Sequence, residues 1–149
     1  MPRIERPLKF RTLQTTGEVL LRAELELAIK TNRGTWEEMT FLVDSGTEMT
    51  TVPAARAKKQ DLPIPRTPVS GLTFHGQEVR AGLLRVRVVS LGATELIFPC
   101  YFLGDPNGIA PQEARNLLGL TGVIHQLRLG FDGTPTIHAP YGRLVVETP

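Results

Sequence analysis

Glycine or proline occupies about one position in six of this chain of 149 residues (14 Gly and 12 Pro), so its regular elements must be short and its turns frequent. Between those interruptions the dominant period is two. Leu21, Ala23, Leu25, Leu27 and Ile29 alternate with Arg22, Glu24, Glu26 and Ala28, the pattern of a strand with one buried face. Leu and Glu also favour helices, and here periodicity outweighs propensity. Asn32-Arg33-Gly34 signals a turn, and Thr35 to Val43 reads as the returning strand.

The same reading continues along the chain. Pro53 to Gln60 reads as a short helix with Pro in its first turn. Leu72 to Val89 reads as a hairpin with its tip near His75-Gly76-Gln77. Leu96 to Leu103 is a further apolar strand, which Pro99 marks as an edge or a bulge. Asp105-Pro106-Asn107-Gly108 is a turn, and Gly119 to His125 holds a helical turn. Leu127 to Phe131, the Asp132-Gly133 turn and Thr136 to His138 read as a last hairpin. Gly142 to Glu147 is strand-like. The expected fold class is therefore mainly β, with one or two short helices.

Length argues for one domain, able to bury about 70% of its unfolded surface without staples. The basic residues Arg3, Arg6, Lys9 and Arg11, against Glu5, lead to residues 1–18 being read as a solvated N-terminal arm and 19–149 as the domain. The net charge is only +2, and no nucleic-acid-binding motif accompanies that cluster, so no nucleic acid is expected. No apolar run approaches the roughly 18 residues of a membrane span, and the N-terminus lacks a secretory h-region. The expectation is a soluble cytoplasmic protein with no membrane partner.

A single cysteine, Cys100, excludes an intramolecular disulfide, and its apolar context (Phe98 to Phe102) suits an inert thiol. His75, His125 and His138 lack metal-ligand spacing, so neither metal nor cofactor is expected. Trp36 and Phe41 are expected in the core. Arg85 and Arg87 are expected on a solvated strand face.

The chemistry concentrates in Phe41-Leu42-Val43-Asp44-Ser45-Gly46-Thr47, where an apolar strand runs directly into an acid, a small hydroxyl residue and a glycine. Asp-Ser/Thr-Gly occurs by chance in roughly one chain in twenty of this length, and alone it equally describes a turn that ends a strand. A second element, Asn116-Leu117-Leu118-Gly119, follows towards the C-terminus. In this order and spacing, from about Val19 to His138, the pair resembles the signature of the retropepsin-like aspartic peptidases, single-domain relatives of retroviral proteases.

The resemblance implies a closed β-barrel with a flap hairpin between the two motifs. It implies that Asp44 is the catalytic general acid/base and that Ser45, Gly46 and Thr47 shape the catalytic loop. Ser45 would hydrogen-bond across a dimer, Gly46 would allow the tight fold beside the acid, and Thr47 would help seat the carboxylate. Leu117, Leu118 and Gly119 would support the loop from below. Phe74, His75 and Gly76 would close over an extended peptide or protein substrate.

Such hydrolysis needs one carboxylate to deprotonate water and one carboxylic acid to polarise the carbonyl. Two carboxylates a few ångströms apart share a proton and titrate as a unit. The chain carries one Asp-Ser/Thr-Gly, and Asp132-Gly133-Thr134 has the wrong order. The dyad therefore requires a homodimer, and the resemblance implies an acidic optimum.

Two departures from the family pattern stand out. Leu120, where retroviral members carry an Arg, leaves Glu48 to find another cation, such as Arg115 or Arg128, or to face solvent. The flap lacks a Tyr and a strongly apolar tip. Leu144 to Glu147 reads either as part of a dimer sheet or as an edge strand folding back on its own subunit. The alternative function is a non-catalytic dimerisation or peptide-binding domain of the same fold. A third reading is a nucleic-acid-associated β-domain using the basic arm.

Overall fold

The computed structural model describes residues 2–111 and 114–149; Met1, Gln112 and Glu113 lie outside the described residues. Twelve strands and one helix are described. They are β1 (Arg3–Pro7), β2 (Lys9–Thr12), β3 (Val19–Arg22), β4 (Glu24–Lys30), β5 (Trp36–Val43), β6 (Thr50–Pro53), α1 (Ala54–Lys59), β7 (Thr73–Phe74), β8 (Gln77–Val88), β9 (Leu96–Leu103), β10 (Leu117–Leu118), β11 (Arg128–Asp132) and β12 (Arg143–Glu147). The protein is mainly β, as its periodicity requires.

The main sheet runs β4-β5-β10-β6-β9-β8-β7, and β4 also pairs with β8 through Leu27–Val88 and Ile29–Val86. The pairings thus return to their starting strand and enclose one core. Into it point alternate residues: Leu25, Leu27 and Ile29 from β4, Phe41 from β5, Leu84 and Val86 from β8, and Phe98, Cys100 and Phe102 from β9. Helix α1 adds Ala54 and Ala57 to the same core. Burial pushes the Cys100 thiol far up from its ordinary pKa, which fits an inert side chain.

Within residues 2–18, part of the segment expected to form a solvated arm, Arg3–Pro7 and Lys9–Thr12 are strands. Strand β1 pairs antiparallel with β12 over its whole length, from Arg3–Glu147 to Pro7–Arg143, and Ile4 and Leu8 pack on the core. Arg3 is held at 2.7 Å from Glu5 and 3.1 Å from Glu147. The basic residues are therefore divided between two strands, Arg3 and Arg6 in β1 and Lys9 and Arg11 in β2, with Arg3 on the exposed face of β1 and Arg6 half-buried on the same face as Ile4. A boundary at residue 18 also divides a ladder, because β2 pairs with β3.

Strand β12 lies between β1 and β11 in a three-stranded sheet, so Leu144 to Glu147 folds back on its own chain, as a central strand and not an edge. The last hairpin consequently differs from the sequence reading. Strand β11 pairs with Arg143–Glu147, and the segment from Thr136 to His138 belongs to the long connection, with Ile137 exposed. Leu144 and Val146 are fully buried, whereas Ile137 has no apolar layer to face.

Three smaller expectations also change. The alternating run from Leu21 to Ile29 breaks at Ala23 into two strands of different sheets, and Leu21 is exposed. Pro99 sits in a strand flanked by β6 and β8, but the β6 pairing begins only at Cys100. Its missing N–H thus costs no ladder bond on that side. Two residues earlier, the Gln126 side chain substitutes for a strand, with Oε1 accepting from the Ile97 N–H (3.1 Å) and Nε2 donating to the Ile97 carbonyl (2.5 Å). Trp36 is half-buried rather than core, with the Arg87 guanidinium 4.1 Å from its ring centroid, while Phe41 is fully buried. No helix among the described residues is long and apolar enough to cross a membrane.

The β11–β12 end of the fold carries a titratable clamp. The Asp132 carboxylate accepts from the Thr134 backbone N–H (2.9 Å) and from Arg143 Nη2 (2.9 Å). These contacts, the Thr134 backbone bond first, lower its pKa from 3.8 to about 2. A depressed folded-state value contributes stability above pH 3.8 that disappears as pH falls towards 2. Asp132→Asn should therefore flatten the acid limb of stability over that interval, read as thermal midpoint against pH. The group is solvent-exposed, so the flattening should be modest.

Candidate active site

Asp44 sits at the mouth of β5, where the strand leaves the sheet and turns sharply. Its carboxylate Oδ1 accepts the Gly46 N–H at 2.9 Å, and its carbonyl accepts the Thr47 N–H at 3.2 Å. Two local bonds thus fold the Asp44–Thr47 loop around its own acid. Asp44 is half-buried as a residue, Ser45 and Gly46 are exposed and Thr47 is half-buried. An alanine methyl at position 46 would lie 3.2 Å from Asp44 Oδ1, so a side chain there would crowd the carboxylate.

The second motif lies directly against this loop. Strand β10 runs parallel to β5, with Leu117 beside Leu42 and Leu118 beside Val43, and antiparallel to β6 through Leu117–Thr51. It therefore threads between the two strands that flank the Asp44 loop. The Leu118 carbonyl accepts the Asp44 N–H at 3.1 Å, and Leu118 itself is buried in the core. Gly119 then crosses beneath β6 so closely that an added methyl would lie 2.4 Å from the Met49 carbonyl carbon and 2.8 Å from the Thr50 nitrogen. Backbone atoms cannot swing aside as a flexible side chain can. Beyond it, Leu120 and Thr121 donate to the Thr47 and Glu48 carbonyls at 3.3 and 2.8 Å.

Two residues without a sequence-assigned role complete the support. Thr50 is fully buried, and its Oγ1 accepts the Gly119 N–H at 3.1 Å. Asn116 is buried and ties three elements together: Oδ1 accepts from Arg56 of α1 (3.1 Å), Nδ2 donates to the Thr40 carbonyl (3.1 Å), and its own carbonyl accepts the Leu42 N–H (2.8 Å). Neither carries a distinct signal in the sequence, where Thr50 follows Glu48-Met49 and Asn116 follows Arg115. Glu48 is exposed and, among the described residues, has no ion-pair partner.

The hairpin residues occupy a different wall. His75 and Gly76 both have positive φ (52° and 74°), the requirement of a two-residue turn whose twist matches the strands it joins. Phe74 packs edge-on against His75 at 4.3 Å and Tyr101 at 5.6 Å, which joins the turn to β9. His75 and Gln77 line one side of a cleft of about 290 Å³. Thr51, Pro53, Leu103, Ile109, Pro111 and Leu117 also line it, together with the charged Asp105 and Arg115. Asp44 does not line this cleft, and Leu117 is the residue shared between the cleft and the Asp44 support. Ile109, 96% exposed in this lining, carries no periodic signal in the sequence because it lies in a loop.

The structure thus brings Asp44, Ser45, Gly46 and Thr47 together with Leu117, Leu118 and Gly119, and of Phe74, His75 and Gly76 only His75 lines the adjoining cleft. No family model matches the chain, and no curated protein matches it. Among solved structures, the chain is similar to a crystal structure of a retropepsin-like aspartic protease from Rickettsia conorii. The similarity covers 84% of this chain and 92% of that one, at 13% identity and a TM-score of 0.41.

Two substitutions test the support. Gly119→Ala should destabilise the fold by about 1–3 kcal/mol or more, lowering the thermal midpoint, whereas Gly130→Ala meets nothing within 4 Å and serves as its control. Thr50→Val should strand the buried Gly119 N–H at a cost of about 1–3 kcal/mol, measured by denaturant unfolding.

Proposed function

We propose that the protein is an aspartic endopeptidase in which two copies of Asp44, one from each chain of a homodimer, activate a water molecule. The observation that carries this reading is the support of the Asp44 loop. The half-buried Asp44 projects from a strand end whose geometry is held by a second, distant motif threaded beneath it. A turn that merely ended a strand would need no buried Thr50, no Asn116 tie and no glycine in backbone contact at position 119.

In this mechanism the ionised member of the dyad accepts a proton from water, which attacks the scissile carbonyl. The protonated member donates to the developing oxyanion, and a proton then passes to the leaving nitrogen. Gly46, through its N–H to Oδ1, orients the carboxylate. Ser45, exposed beside Asp44, is available to bond the partner's loop. An extended peptide would lie between the two carboxylates and the two hairpins, with an apolar side chain in the cleft lined by Leu117 and Leu103. Phe74, His75 and Gly76 would close over it and exclude water.

Cleavage of a mixed peptide library between about pH 4 and 7 decides the matter. The wild type should cut, with the rate greatest at acidic pH, and Asp44→Asn should reduce cleavage at least about 10²-fold, the contribution of a general acid/base. The substitution keeps the side chain's size and its acceptor for Gly46. Equal cleavage by the two proteins would remove Asp44 from the chemistry. A dimeric wild type that cuts nothing would make the chain a binding module of the same fold.

A further inference from the structure

The hairpin formed by β2 and β3 has a face for which the chain provides almost no cover. Its register sets Phe10 opposite Leu21 and Thr12 opposite Val19, which places these four side chains on one face, with Lys9, Arg11, Leu20 and Arg22 on the other. That is the alternation of a half-buried sheet, yet Phe10 is 53% exposed, Val19 45% and Leu21 51%. Tyr141, at 4.7 Å from the Phe10 ring, touches one end of the face and is itself 37% exposed. The hairpin forms a two-stranded sheet of its own, an arrangement only marginally stable in water without something packed on it.

We infer that the Phe10–Val19–Leu21 face, with Tyr141, is the surface through which a second copy of this chain docks. The inference rests on the homodimeric reading of Asp44 and adds where the two copies meet. Position is the first argument. The hairpin ends at Arg22, the next residue is Ala23, and the Ala23 carbonyl accepts the Val43 N–H at 2.8 Å, one residue before Asp44. A two-fold axis close enough to bring Asp44 beside its own copy therefore passes close to the base of the hairpin, and each hairpin falls next to the other chain.

Area is the second argument. At roughly 150–200 Å² per side chain, the exposed fractions of these four residues amount to roughly 300 Å² of mostly apolar surface. A standard interface buries about 800 Å² per partner, a little over half of it apolar, so this one face supplies about two-thirds of the apolar share. Availability is the third. Both edges of β12 are already filled by β1 and β11 of the same chain, so β12 has no free edge on which a strand of the second copy could add. A face that meets its own copy across a two-fold satisfies the isologous geometry that a carboxylate dyad demands.

The test separates the interface from the chemistry by measuring self-association on the full Asp44→Asn chain, which cannot digest itself. Sedimentation velocity should show a dimer that weakens by about tenfold or more when Phe10→Asp or Leu21→Asp is added, a shift of about 1.4 kcal/mol. Thermal unfolding should stay cooperative in both variants. A dimer of unchanged strength would overturn the proposed face while leaving the Asp44 dyad intact, and a parent chain that stays monomeric would overturn both. If an Asp variant fails to fold, Leu21→Cys decides. A short bis-maleimide should link it into a covalent dimer, since Cys100 is buried, and absence of linkage overturns the proposal. An intact dimer whose wild-type form cleaves no peptide would retain the interface and reject the peptidase.

Discussion

The insertion of Leu117–Gly119 between β5 and β6 is the constraint on which the remaining structure depends. A two-residue strand contributes little ladder energy by itself. It matters because it joins two strands that are not otherwise hydrogen-bonded neighbours, parallel to one and antiparallel to the other. Without it the circuit of pairings opens between β5 and β6, at the place where Asp44 leaves the sheet. Gly119 allows this passage because any side chain there would meet the Met49 and Thr50 backbone. Leu118 anchors it from the core side. The position of the half-buried Asp44 is thereby coupled to the packing of a fully buried interior.

That coupling explains the placement of polar groups around the loop. Thr50 and Asn116 are buried, and each meets backbone groups that the short strand leaves over. Arg56 reaches from α1 to both Asn116 and the Ala114 carbonyl, so the helix braces the chain's approach to β10. A buried polar group without such partners would cost more than a hydrogen bond returns, so these residues are intelligible only as a set. The cleft begins where this set ends, at the exposed edge of Leu117.

Much of this architecture was legible in the residues. Period two in Leu25–Ile29, the Asn32–Gly34 turn, the His75-Gly76 tip and the Ala-rich stretch after Pro53 each specify a local conformation through sterics or through the demand for one buried face. The Asp-Ser-Gly-Thr and Leu-Leu-Gly strings were legible as a pair. Misreadings came where local pattern was silent about partners. The basic residues near the N-terminus concealed Ile4 and Leu8, which pack only because β12 lies beside them. Leu21 continued an alternating run, yet at Ala23 the chain changes sheets. The Asp132-Gly133 turn opened a much longer excursion than the sequence indicated, because β11 finds its apolar partner in Leu144 and Val146.

The division follows from the range of the forces. Alone, the sequence determined several of the strands, where most turns fall, which side chains seek burial and which single acid follows an apolar strand into a glycine loop. These properties depend on neighbours within a few residues. Only the tertiary structure decided that β10 threads between β5 and β6, that Thr50 and Asn116 complete the Asp44 support, that both termini share one sheet, and that the β2–β3 face stays uncovered. Each of those depends on which distant segment has the complementary backbone groups and apolar surface, and strand pairing between residues a hundred positions apart leaves no periodic trace in either segment.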